Sequence, residues 1–106
     1  MTLEKFYEVI DAFDDTIAIV RRTNEFKKNL KLAYKRGLDL DLLIKVVYVL
    51  AKHEELDEKY KAHVLKGEFE GIWECHIKPD WLLFWDWQDD KLVLMLVATG
   101  THSDVF

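Results

Sequence analysis

Leu3, Phe6, Tyr7, Ile10 and Phe13 recur at three- to four-residue spacing with acids between them, a pattern that predicts an amphipathic helix of about three turns. The β-branched run TIAIVRR (16–22) predicts a short strand. Thr23 is placed to cap a helix reaching Arg36, with Phe26, Leu30, Ala33 and Tyr34 as its buried stripe, lysines on its other face and Gly37 as its stop. A second helix starts after Asp39 or Asp41 and runs to about His53, completing a helical hairpin. Its core stripe is Leu43, Val46, Val47 and Leu50, while Ile44, Tyr48 and Val49 fall outside it. HEELDEKYKAH reads as a helix end and loop. From about Phe69 the period changes to two. FEGIWECHI, DWLLFWDW and KLVLMLVAT, joined by KP and QDD, predict an antiparallel meander. Pro79 rules out a helix through ECHIKPDW, so His76 and Asp80 end one strand and begin the next. The expected architecture is α+β, a helical hairpin packed on a small, mainly antiparallel sheet, with an extra N-terminal helix.

Composition narrows this picture. A chain of 106 residues, 50% hydrophobic and 33% charged, supports one globular core. Cys75 is the only cysteine, which excludes an internal disulfide and a thiolate-rich metal site and suits a reducing cytoplasm. The start is acidic, unlike a signal peptide, and VVYVLA and LVLMLVA are far shorter than the ~20 residues of a membrane helix. No membrane association is expected. The net charge of −5 hides an asymmetry: residues 1–15 carry a net −4 and residues 21–36 a net +6.

Chemistry rests on four histidines. His53 sits near a helix end in a charged stretch, where a solvated or capping role is expected. His63 precedes the meander, and His76, Asp80 and His102 can meet along the rim of one sheet. Imidazoles and a carboxylate can hold zinc, but their spacing matches no recognised metal motif, and no metal or cofactor is expected. No phosphate-binding glycine loop or nucleophile elbow is present, and Cys75 reads as a small core residue. The set suits metal-free proton transfer near neutral pH, of which RNA cleavage is one case.

The run YKAHVLKGEFEGIWECHIKPDWLLFW, with the ending TGTHSDVF, closely resembles the YafQ-like branch of the RelE superfamily of bacterial type II toxins. The likeness covers about 16–106 and includes NEFKKNLKLAYKRG and LDEKY; residues 1–15 stand outside it as an acidic helical extension. It implies a metal-free ribonuclease that cuts mRNA in the ribosomal A site and is silenced by a cognate antitoxin. Carried over by position, the catalytic residues are His63, His76, Asp80 and His102, with His102 as general acid. Trp81 and Phe106 would lie at the RNA-binding rim, and Lys27, Lys28, Lys31 and Lys35 would meet ribosomal RNA phosphates.

Two positions depart from the family pattern: Ala98 and Trp73 stand where basic residues are usual. Losing one donor that stabilises transition-state charge costs on the order of 10²- to 10³-fold in rate. The alternative is therefore a catalytically impaired or re-engineered scaffold that self-associates or binds protein through the apolar helix 42–53 and through Trp85 and Trp87. The leader has three readings: a structural cap, an oligomerisation element, or an acidic segment lying over the basic face.

Overall fold

The computed structural model describes residues 1–13 and 17–105. Phe106, expected at an RNA-binding rim, and Thr16, expected to open the first strand, lie outside the described residues. The elements are α1 (Leu3–Asp11), β1 (Ile19–Arg22), α2 (Asn24–Lys35), α3 (Leu40–Ala51), β2 (His63–Val64), β3 (Trp73–Lys78), β4 (Trp81–Gln88), β5 (Val93–Gly100) and α4 (His102–Val105). Single 3-10 turns at Glu58–Tyr60 and Gly67–Phe69 flank β2. The sheet runs β1-β5-β4-β3-β2. β3, β4 and β5 form the expected antiparallel meander, β1 joins β5 in parallel, and β2 pairs antiparallel with β3.

Polar side chains set the helix starts. Thr2 and Thr23 accept from the backbone N–H three residues on, and the Asp39 carboxylate accepts from Asp41. The Thr23 hydroxyl also donates to the Val97 carbonyl at 2.7 Å, which ties the start of α2 to β5. Asn29, not Tyr34, completes the inner face of α2. Tyr34 is 42% exposed, while Asn29 is buried and its Oδ1 accepts the Thr99 N–H at 3.1 Å. A carboxamide at this helix–strand contact satisfies a buried strand donor.

Three helices share one face of the sheet, and the main core lies between: Phe6 and Ile10 of α1, Phe26 and Leu30 of α2, Leu43, Val46 and Val47 of α3, and Cys75, Leu83, Trp85, Leu94 and Leu96 of the strands. The leader is thus a structural element. Its Phe6 ring packs against Phe26 at 6.3 Å, and Phe13 meets Tyr48 edge-on at 5.2 Å. Of the surface expected for self-association, Trp85 is buried and α1 rests beside α3, while Trp87 is half-buried and Tyr48 remains 44% exposed. Trp81, expected as a stacking platform for RNA, is also buried, at 2% exposure, because odd positions of β4 face the helices.

The opposite face has, among the described residues, a small apolar cluster of Leu82, Phe84 and Ala98, against which Leu65, Ile72 and Val97 pack. A bulge between Phe84 and Trp85 pairs Phe84 with Ala98 and Trp85 with Leu96. The skipped residue turns Ala98 to this second face while Leu94 and Leu96 stay in the core.

Candidate active site

Alternation along β3 places Cys75 and Ile77 in the core and leaves Glu74 and His76 for the open face. β2 sets His63 directly opposite Glu74 in register. The Glu74 carboxylate, with its side chain 8% exposed, lies between two imidazoles: Oε1 is 3.5 Å from Nε2 of His63 and 3.8 Å from Nε2 of His76. Each ring is held from behind by a backbone carbonyl. Nδ1 of His63 meets the Lys61 carbonyl at 2.8 Å, and Nδ1 of His76 meets the Pro79 carbonyl at 3.2 Å. A carbonyl only accepts, so both Nδ1 atoms carry hydrogen and Nε2 becomes the atom that exchanges a proton. Glu74 was not singled out in the sequence; the alternation that buries Cys75 places its neighbour beside His76 and was the available signal.

Pro79 therefore does more than turn the chain, since its carbonyl orients His76. The row His76–Leu82–Gly100 crosses three strands, and α4 with His102 begins two residues beyond Gly100. Asp80 lies near the same end: it lines a cleft of about 110 Å³ with Arg36, Gly100, Thr101 and Asp104. The sheet thus gathers His63, Glu74 and His76 in one cluster and sets Asp80 beside the loop that carries His102.

That loop is pinned. Asp104 accepts from both guanidinium nitrogens of Arg36, at 2.6 and 3.3 Å, and from the Thr101 N–H at 3.0 Å, while its own N–H donates to the Thr101 hydroxyl. The Arg36 hydrogen bond, with the Thr101 N–H behind it, holds the Asp104 carboxyl down at about 2. Gly100 has φ +147°, and a Cβ there would meet Asp104 at 3.0 Å, so the loop needs glycine at this point.

The two departures from the family pattern differ in weight. Trp73 stacks on Trp85 at 6.1 Å on the helix side of the sheet, opposite Glu74 and His76, so a base at position 73 would not face the imidazoles. Ala98 does belong to the open face, 3% exposed under Leu82 and Phe84. Cations come from elsewhere. Lys59, Lys61 and Lys78 line a groove of about 580 Å³ with His76 and Pro79. Lys27, Lys28, Lys31 and Lys35 are exposed on α2, in the helical layer, and the fold does not bring them to the imidazoles. Burial, with the Glu74 charge beside it, pushes the Cys75 thiol up to about 12, so it is no nucleophile.

Comparison with known proteins agrees with this architecture. Residues 18–106 match the model of the bacterial toxin of type II toxin-antitoxin system, YafQ. The mRNA interferase toxin YafQ of Escherichia coli (strain K12) is 34% identical over 88 residues, covering 82% of this chain and 94% of the relative. Among solved structures, a metal-bound toxin from Helicobacter pylori superposes with a TM-score of 0.78 at 42% identity, over 85% of this chain and 99% of that one. The toxin of the E. coli DinJ-YafQ toxin-antitoxin complex superposes with a TM-score of 0.75 at 32% identity, over 84% and 97%. The class is that of small α+β bacterial toxins. Within it, the chain belongs to the YafQ family of type II toxins, with α1 preceding the matched residues. Although the H. pylori relative is described as metal-bound, the described residues here contain no group of three or more His, Cys, Asp or Glu side chains able to hold a metal ion. No helix among them is long and apolar enough to cross a membrane.

Proposed function

We propose that the chain is a metal-free mRNA endoribonuclease that acts in the ribosomal A site in the cytoplasm and is neutralised by a cognate antitoxin. The observation that carries this reading is the Glu74 carboxylate between two imidazoles whose Nδ1 atoms meet backbone carbonyls and whose Nε2 atoms lie 3.5 and 3.8 Å from its Oε1. Nε2 of His63 or His76 takes the proton of an RNA 2′-hydroxyl. The freed oxygen attacks the adjacent phosphorus, and the bond to the 5′-oxygen breaks as His102 protonates that leaving group. The products are a 2′,3′-cyclic phosphate and a 5′-hydroxyl end. Asp80 orients the loop side of the site, and Lys59, Lys61 and Lys78 supply positive charge beside His76 where Ala98 supplies none.

The relatives support the reading through their own descriptions, mRNA interferase toxin for one and toxin-antitoxin complex for another. For the scaffold alternative, Ala98 supplies no cation on the open face and Trp87 and Tyr48 stay partly or largely exposed, whereas Trp73 faces away from the imidazoles and Trp85 is core. The test is a purified translating system in which the 5′ ends of a defined mRNA are mapped with the chain and with its His76→Ala and His102→Ala variants. Cleavage by the unaltered chain, lowered about 10²- to 10⁴-fold in each variant, is expected. Undiminished cleavage in both variants, or none by the unaltered chain, would sink the proposal.

A further inference from the structure

The helix side of the sheet carries a second groove, distinct from the imidazole cluster. It encloses about 570 Å³ beside the C-terminal end of α3, within the ~300–1,000 Å³ typical of ligand sites. Its floor is aromatic, formed by Trp73, Trp85 and Trp87. Trp73 and Trp85 stack across strands at 6.1 Å, and His53 lies over Trp87 at 5.0 Å, carried by a backbone with φ +59° just past α3.

The rim is acidic. Glu54, Glu55, Asp57 and Glu58 line it, with Lys61 and Lys91 as the only cations of the lining. Two of the carboxylates are engaged: Glu54 pairs with Lys52 at 3.0 Å, and Asp57 caps the following turn by accepting the Lys59 N–H. Glu55 and Glu58 have no side-chain partner among the described residues. In the floor, Trp85 is 1% exposed, and its indole N–H is buried with no hydrogen-bond acceptor among the described residues. A buried donor left unpaired marks a place where an acceptor is missing.

We infer that this groove binds an arginine-bearing segment of a protein partner. A guanidinium is planar, stacks on tryptophan and pairs with carboxylates, so it matches both the floor and the rim. The indole N–H calls for an acceptor as well, and a peptide brings a backbone carbonyl next to its cation. A lone metal ion or polyamine brings only the charge. RNA fits poorly, because four carboxylates line the rim against Lys61 and Lys91, so phosphates would meet a net negative edge. The tryptophan floor and the imidazole cluster lie on opposite faces of the sheet, with Lys61 lining both this groove and the one beside His76, and the inference uses no step of the proposed catalysis.

The experiment follows the tryptophan indole N–H signals of the ¹⁵N-labelled full chain by NMR during titration with a capped glycine heptapeptide bearing one central arginine. Three further probes are the same peptide with neutral citrulline, guanidinium chloride alone, and a short single-stranded oligoribonucleotide. The arginine peptide is expected to shift the Trp85 signal saturably and to bind about tenfold more tightly than the citrulline peptide. The exposed double variant Glu55→Gln/Glu58→Gln should keep the melting temperature and weaken the peptide by roughly three- to tenfold. Equal binding of citrulline and arginine overturns the inference, as does a stronger response to the oligoribonucleotide. So does no saturable shift at ~10 mM peptide, where a ~1 mM site would be mostly filled.

Discussion

Replacing Trp81 with Phe separates two roles that a tryptophan after a turn can have, a platform for an RNA base and a brace inside the fold. The indole N–H donates to the Thr99 hydroxyl at 2.9 Å, that hydroxyl donates to the Leu82 carbonyl at 2.6 Å, and the Thr99 N–H donates to Asn29 of α2. Trp81 therefore closes a chain of hydrogen bonds joining β4, β5 and α2, with its ring in the core. Trp81→Phe loses one buried hydrogen bond, about 1 kcal/mol, and leaves a void where the larger ring was, about 1 kcal/mol or more. A loss of roughly 2–3 kcal/mol follows, which at ~4–8 °C per kcal/mol lowers the melting temperature by about 8–24 °C.

Thermal unfolding followed by circular dichroism measures that loss. A cycle with Thr99→Val isolates the hydrogen bond, expected as a coupling of about 1 kcal/mol between the two sites. RNA affinity of the folded Trp81→Phe protein should stay within about threefold of the parent, because the ring offers no face for a base to stack on. A melting temperature unchanged within ~2 °C, together with a tenfold or greater loss of RNA affinity, would refute the bracing role and restore the stacking one.

Four further outcomes are expected. Glu74→Gln keeps the shape but removes the charge between His63 and His76, and should lower mRNA cleavage about 10- to 100-fold with little change in melting temperature. Ala98→Arg forces a charged side chain under Leu82 and Phe84, so a loss of about 1–3 kcal/mol on denaturant unfolding is expected; a stable variant with much faster cleavage would show that the cluster opens readily. Cys75 should resist Ellman's reagent in the native protein at pH 8 and react once unfolded, and rapid native labelling would contradict its burial. Asp104, lowered from 3.8 to about 2 mainly by Arg36, adds stability that is present above about pH 4 and lost as pH falls through about 2. Acid unfolding of Asp104→Asn should lack that part of the pH dependence.

The helices and the meander were legible because each segment keeps one period long enough to declare itself. Thr23 caps α2 as predicted, Asp39 proves to be the cap of the two starts offered for α3, and Phe26, Leu30, Leu43, Val46, Val47 and Leu50 are buried as their spacing required. Tyr34 was misplaced because its spacing suits either flank of the stripe, and the donor that favours Asn29 is a backbone N–H on a strand seventy residues away. β2 was missed because a two-residue strand has no period, yet it is what brings His63 opposite Glu74. The tryptophans of β4 were read from alternation alone, which says that they share a face but not which face the helices cover. Ala98 needed the bulge at Phe84/Trp85 to be placed at all, since an unbroken alternation from Leu96 would have put it in the core.

The leader joins several of these observations. The all-round apolar character of α3 predicts exposed surface only if α3 has one neighbour, and here it has two, the sheet beneath and α1 at its side. Ile44 packs against the core and Tyr48 meets Phe13, so two of the three positions that looked surplus have partners within the chain. The acids of α1 do not cover the lysine face of α2. Asp11 pairs with Arg22 at 2.6 Å, and the same guanidinium lies 4.5 Å over the Tyr7 ring, so one residue of the basic run fastens the leader to the end of β1. Because Lys27, Lys28, Lys31 and Lys35 stay exposed on the far side of α2, the positive surface and the imidazole face remain separate. A partner that covers one face can therefore leave the other open.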